Sequence, residues 1–125
     1  GPKRNPAEAT PEAYTLTLTY GDPSPYIRTQ IGDHLKRRLD VEDPAAVFLA
    51  DRFHGEGSWG GTAEHSGVIV VLTTAPPLHL REMVRRVARH YQQDAIGFIV
   101  SPDTDAHLVY ANTADDAPAT YRAAH

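Results

Sequence analysis

Apolar residues recur along this chain at a spacing that switches between two and about four, and the order of those switches restricts the fold more than any single motif does. Tyr14 to Tyr20 (Tyr-Thr-Leu-Thr-Leu-Thr-Tyr) alternates strictly and is rich in β-branched and aromatic residues, which predicts a strand. Gly21-Asp22-Pro23 ends it, and Ser24 followed by Pro25 supplies an N-cap with proline at the first helical position. Ile27, Ile31, Leu35 and Leu39 then recur at steps of four, so a helix should pack on a sheet with Arg28, Lys36 and Arg37 toward solvent. Asp43-Pro44 breaks that pattern. Ala46 to Phe53 predicts a second strand, and His65 to Thr74, with its unbroken run Val68 to Leu72, predicts a third and central one. Pro76-Pro77 restart the chain as a helix from about Leu78 to Gln93. Its apolar side carries Leu80, Val84, Val87, Ala88 and Tyr91, and its outer side Arg81, Arg85, Arg86 and Arg89. Ala95 to Val100 reads as a fourth strand, and after the turn-forming cluster Ser101 to Asp105, His107 to Tyr110 can pair back as a short fifth.

Strand, helix, strand, strand, helix, strand is the order of the split β-α-β arrangement, with both helices on one face of an antiparallel sheet. The expected fold class is α+β: a ferredoxin-like βαββαβ sandwich over residues 14–110 with an extra short C-terminal strand. Residues 1–13, with mixed charges and several prolines, are expected to form a flexible arm. Residues 111–125, rich in Ala and Asp with little to bury, are expected to be flexible or to dock on a partner. At 125 residues the chain suits one domain with one core, and no apolar run approaches the roughly 20 residues that a membrane helix needs. The absence of cysteine excludes disulfides, thiolate catalysis and cysteine-bound zinc. A net charge of −4 argues against nucleic acid as a partner, although basic residues gather on the two helices. The expected location is cytoplasmic. Gly1-Pro2 has the look of a cleaved-tag scar, so an exported form that has lost its leader stays open.

Between the second and third strands lie ten residues, Gly55 to Glu64, with Gly55, Gly57, Gly60 and Gly61 and the chain's one tryptophan, Trp59. Glycine suits neither strand nor helix, and a large aromatic on so permissive a backbone points to recognition. As a ligand-binding loop, Gly57, Ser58, Trp59, Gly60 and Gly61 would offer a flat aromatic face and backbone N–H groups, with Arg81 and Arg85 of the second helix drawing in an anion. As a plain hairpin connection, the glycines would only permit the turn, and Trp59 would pack on the sheet or in a subunit interface. A third reading gives the loop no fixed role. His54 and Glu56 precede its centre and Glu64 and His65 follow it, so a pairing near Phe53 and Ser66 would gather two imidazoles and two carboxylates. That set suits a divalent transition metal such as zinc, nickel, copper or iron. Neither His-Glu-x-x-His nor the Pro-Cys-x-x-Cys half of a zinc deaminase signature accompanies it.

The remaining histidines read as helix and edge residues. His34 and His90 are placed late in helices, where imidazolium meets the C-terminal dipole; His79 is placed near a helix start, as a solvent residue or phosphate contact. Ser58 lies in Gly-Ser-Trp rather than Gly-x-Ser-x-Gly, so nucleophilic catalysis finds no support. Over Tyr14 to Tyr110 the order of elements resembles the PII-like branch of the ferredoxin-like fold: small bacterial sensors, often trimeric, with a long mobile loop between strands two and three. The chain is also similar to bacterial domains with a Gly-x-Trp pair after the second strand and a Tyr-x-x-x-x-Gln-like end to the second helix, here Gly57-Ser58-Trp59 and Tyr91-Gln92-Gln93. It lacks a PII nucleotide-binding signature, so no nucleotide is implied. The resemblance implies a non-enzymatic, regulatory small-ligand-binding protein using residues 54–65. Its expected partners are a second or third copy of itself, as dimer or trimer, and a small molecule or a partner protein. The alternatives are a small ferredoxin-like barrel enzyme whose cavity is lined by His and Tyr (His54, His65 or Tyr91, with Tyr20 and Tyr110), a metal-binding protein using His54 and His65, and an interaction protein that works through its tails.

Overall fold

The computed structural model describes residues 12–59, 62–101 and 107–112, of which 52–59 and 62–64 are described by their backbone alone. Seven elements follow one another: β1 (Tyr14–Asp22), α1 (Pro25–Glu42), β2 (Val47–Trp59), β3 (Thr62–Thr73), α2 (Pro77–His90), β4 (Ala95–Val100) and β5 (His107–Tyr110). The five strands form one sheet in the order β2-β3-β1-β4-β5, antiparallel throughout. This is the expected ferredoxin-like sandwich with a fifth strand added beside β4. The slot between β1 and β2 is filled by β3, and the slot between β3 and β4 by β1. The alternation in β1 has the predicted effect: Leu16, Leu18 and Tyr20 are buried beneath the helices, and Thr15, Thr17 and Thr19 are half-buried on the other face. Ile69 and Val71 of β3 and Ile96 and Phe98 of β4 extend that floor, and Ile31, Leu35 and Leu39 of α1 close over it with Leu80, Val84 and Val87 of α2. Each such fully buried aliphatic stabilises the fold by about 1.5–3 kcal/mol. Among the described residues no helix is long and apolar enough to cross a membrane.

Helix α1 starts as the sequence specifies. Ser24 Oγ accepts from the Ile27 amide at 3.3 Å with Pro25 in the first turn, and the Ser24 amide donates to Asp22 Oδ1 at 2.8 Å. At its far end Asp43 accepts from Thr73 Oγ1 at 2.7 Å and from the amides of Thr74 (3.3 Å) and Ala45 (3.1 Å), tying the end of α1 to the end of β3. Those hydrogen bonds, that of Thr73 foremost, hold the Asp43 carboxyl below its ordinary range. Beside it, the Tyr14 hydroxyl donates to the Ala75 carbonyl, and burial, with Asp43 nearby, pushes its pKa up to about 12. The helix comes so close to the sheet that Tyr20 fills the space against two glycines: a Cβ added at Gly32 would lie 2.4 Å from its hydroxyl, and one at Gly67 2.5 Å from Cζ.

Two arginines expected in solvent are buried. Arg28 lies under the start of α1 and donates from Nη1 to the Asp22 carbonyl at 3.1 Å, because the first turn of the helix sits over the end of β1. Arg85 of α2 is 4% exposed; it reaches Glu82 and donates from Nη1 to the Tyr110 carbonyl at 2.6 Å. Arg89 donates from Nε and Nη2 to the Ala111 carbonyl at 3.1 and 3.0 Å. An arginine-lined helix face therefore holds down the last strand. Ala111 is buried with it; residues 1–11 and 113–125 of the expected arm and tail lie outside the described residues.

The ten residues expected as a loop between the second and third strands are largely strand. β2 and β3 pair out to Trp59↔Thr62, with Glu56↔His65, Gly57↔Glu64 and Ser58↔Ala63, whereas β1 accompanies β3 only as far as Asp22↔His65. Beyond His65 the pair is a two-stranded ribbon past the end of β1. Strand pairing needs only backbone donors and acceptors, which glycine supplies as well as any residue, and Gly-Gly between two extended runs is itself a hairpin signal. Register shifts between Phe48 and Ala50 and between Phe53 and Glu56 absorb the mismatch along this edge. Gly60 and Gly61 lie outside the described residues.

Candidate functional site

Where α1 and α2 run side by side, two helical spacings meet. His34 and Arg38 are four apart on α1, and Met83, Arg86, Val87 and His90 fall at i, i+3, i+4 and i+7 on α2, so each set lies along one helix face. Together they line a groove of about 370 Å³. Met83 and Val87 are buried and give it an apolar floor; the arginines and imidazoles supply its polar groups.

The end of α2 sets the position of the reactive groups. The chain leaves the helix through paired bonds, Gln93 N–H to the Ala88 carbonyl at 2.8 Å and Gln92 N–H to the Arg89 carbonyl at 3.1 Å, with Gln92 in the left-handed region at φ 55°. This is a Schellman ending with glutamine where glycine is usual. It fixes Tyr91 at the cap and lets the Gln93 side chain donate to Asp22 Oδ2 at 2.9 Å. Tyr91 Oη lies 3.0 Å from His34 Nδ1. The three rings of His34, His90 and Tyr91 stand edge-on to one another, with centroids 5.5, 5.5 and 4.8 Å apart.

His34 is held below its ordinary value near 6.5, first by burial and then by the positive charge of Arg37, His90 and Arg38. It is therefore a neutral imidazole at physiological pH. With Nδ1 taken by Tyr91, Nε2 makes no hydrogen bond among the described residues. Arg38 donates from Nη2 to Glu42 Oε1 at 2.9 Å, and the same carboxylate meets His79 Nε2 at 2.5 Å. Arg86 has no hydrogen bond or ion pair among the described residues.

The residues singled out in the sequence are not at this groove. Gly57, Ser58 and Trp59 lie on the ribbon at the β2 edge of the sheet, and Gly60 and Gly61 outside the described residues. Arg81 is half-buried in the first turns of α2; Arg85 is turned to the end of β5. Of the four possible metal ligands, Glu56 and His65 are register partners, Glu64 pairs with Gly57, and His54 falls in the register shift. Among the described residues no three His, Asp or Glu side chains gather as ligands to a metal, and the side chains of His54, Glu56 and Glu64 are outside that description. Tyr91, named for the enzyme alternative, does not line the groove but meets His34, which does. His34 had been placed late in its helix; it stands in the middle of α1, where no dipole argument applies. The signal that marked it was an imidazole next to the apolar stripe, at Ile31 and Leu35, with arginines on both helices.

No family model matches the chain, and no curated protein matches its sequence. Its structure is similar to that of a phage SAM lyase in complex with S-methyl-5'-thioadenosine, with a TM-score of 0.53 and 12% identity, covering 84% of this chain and 95% of that one. At that identity the likeness carries the architecture: two helices on a five-stranded antiparallel sheet. It also corrects the first functional expectation. The sequence favours a non-enzymatic, regulatory PII-like protein over an enzyme with a His- and Tyr-lined site; the similar solved structure is a lyase holding a small molecule, and the enzyme alternative fits it better.

Proposed function

We propose that the protein is a small enzyme that moves a proton on a small molecule bound in the groove between α1 and α2, with His34 as the base and Tyr91 as its positioning partner. The observation that carries this reading is the 3.0 Å contact of the Tyr91 hydroxyl with His34 Nδ1, at a neutral imidazole on the groove wall. In the tautomer in which Nδ1–H donates to Tyr91, Nε2 holds a free electron pair. It takes a proton from a carbon of the substrate, and the electrons of that C–H bond form the new double bond. The leaving group departs with its own bonding pair and collects the proton from the imidazolium, so the histidine ends as it began. Such an elimination is lyase chemistry, and the lyase among similar folds supports that class.

The test is incubation of the full chain with a metabolite panel that includes SAM, with loss of substrate followed by chromatography. Turnover should fall by roughly 10²–10⁴-fold in His34→Gln. Tyr91→Phe should shift the acid limb of the rate profile as well as lower the rate. Turnover that survives His34→Gln unchanged would remove the histidine from the mechanism.

A further inference from the structure

The groove's remaining groups say what kind of molecule it takes. Arg86 and His90 come from α2 and His34 and Arg38 from α1, over a floor of Met83 and Val87, and no carboxylate is among the lining residues. Of the acids near them in the chain, Asp33 pairs with Lys36, Glu42 with Arg38 and His79, and Glu82 with Arg85, while Asp40 is exposed and lies outside the lining. Arg38 is paired with Glu42 and His34 is neutral, whereas Arg86 is exposed with no described partner, so Arg86 is the lining guanidinium left to meet an anion. A guanidinium offers two parallel N–H donors to an oxyanion, and the His90 imidazole can add a single N–H donor beside it, His34 Nδ1–H being given to Tyr91. A buried thioether and a buried isopropyl group below them suit a ring or another apolar body.

We propose that the groove recognises a compact oxyanion, phosphate or carboxylate, carried on a small apolar or ring-shaped body, and that Arg86 grips the anion while Met83 and Val87 receive the body. This rests on the groove being the substrate site. Solvated arginines on a helix surface would share the charge without the floor or the facing imidazoles. A molecule of this kind fills a cavity of this size, since ligand sites begin at about 300 Å³.

The experiment uses the full chain, labelled for histidine ring signals in NMR, titrated at constant ionic strength with inorganic phosphate, phenyl phosphate and benzoate, and with sodium chloride as reference. The His34 and His90 signals should move saturably. Phenyl phosphate should bind about tenfold tighter than inorganic phosphate, which corresponds to burying part of one ring, and Arg86→Gln should weaken it about tenfold. The tighter of phenyl phosphate and benzoate names the anionic head. Shifts that do not saturate, that chloride reproduces, or that Arg86→Gln leaves unchanged overturn the proposal. Saturable binding without turnover of any panel compound removes the enzyme reading and leaves this one standing. Turnover of substrates with no dependence on an anionic group does the reverse.

Discussion

His34 shows how a helix can keep an imidazole neutral without a charged partner. Its ring is half-buried between two helices, near Arg37 and Arg38 of one and His90 of the other, so the protonated form is disfavoured on two counts, and Tyr91 supplies a hydrogen bond that neutral imidazole can keep as donor or acceptor. The consequence for stability has a definite sign. In the unfolded chain the imidazole titrates near 6.5; folded, it titrates lower. Between the two values only the unfolded chain holds the proton, so the stability that His34 contributes is complete above the ordinary value and is lost as pH falls toward the folded one. Urea midpoints measured near neutrality and at about pH 5 should therefore fall further for the wild-type chain than for His34→Gln. Equal losses in the two proteins would show that the imidazole titrates normally.

At the scale of elements, α2 presents three different surfaces. One face completes the core, one lines the groove, and Arg85 and Arg89 hold the backbone at the end of β5. Arg85→Met keeps the length of the side chain but leaves the half-buried Tyr110 carbonyl without its charged donor, at a cost of about 2 kcal/mol. Thermal unfolding should show that loss, and Arg86→Met, one residue away and exposed, should show almost none. A comparable loss in both would place the effect in general surface charge. These roles mark the limit of what periodicity reveals. It finds every strand and both helices, because alternation and four-residue steps are imposed by the core itself, but it ends the second strand at Phe53 where the pairing continues to Trp59. It cannot say that Arg28 lies under a helix start or that Arg85 meets a strand end, since both depend on where neighbouring elements stop. The glycines of residues 55–64 misled for a related reason: they lower intrinsic strand preference, yet a hairpin of two long strands needs only its backbone pairing. The His34–Tyr91 contact spans 57 residues and exists because two helices settle side by side, which no local pattern records.

For the molecule as a whole, the interleaved order puts β1 and β3 at the centre and leaves the β2–β3 ribbon beyond His65 supported on neither side by the rest of the sheet. Isolated two-stranded hairpins are marginal in water, so protection should fall along the same strand pair. Hydrogen exchange is expected to be slowest at β1 amides such as Leu18, and faster by orders of magnitude at ribbon amides such as Ser58. Uniform protection from Val68 to Thr62 would mean that the ribbon is braced by something outside the five strands. The interleaving has one more consequence, for the chain as two pieces. A cut between Trp59 and Thr62 yields β1-α1-β2, missing the strand that joins its own two, and β3-α2-β4-β5, missing the strand between β3 and β4. Each piece carries the insert that the other lacks, one helix, and one wall of the groove. The halves are thus obligate complements, and the His34–Tyr91 contact, which takes one residue from each, becomes a readout of their reassembly.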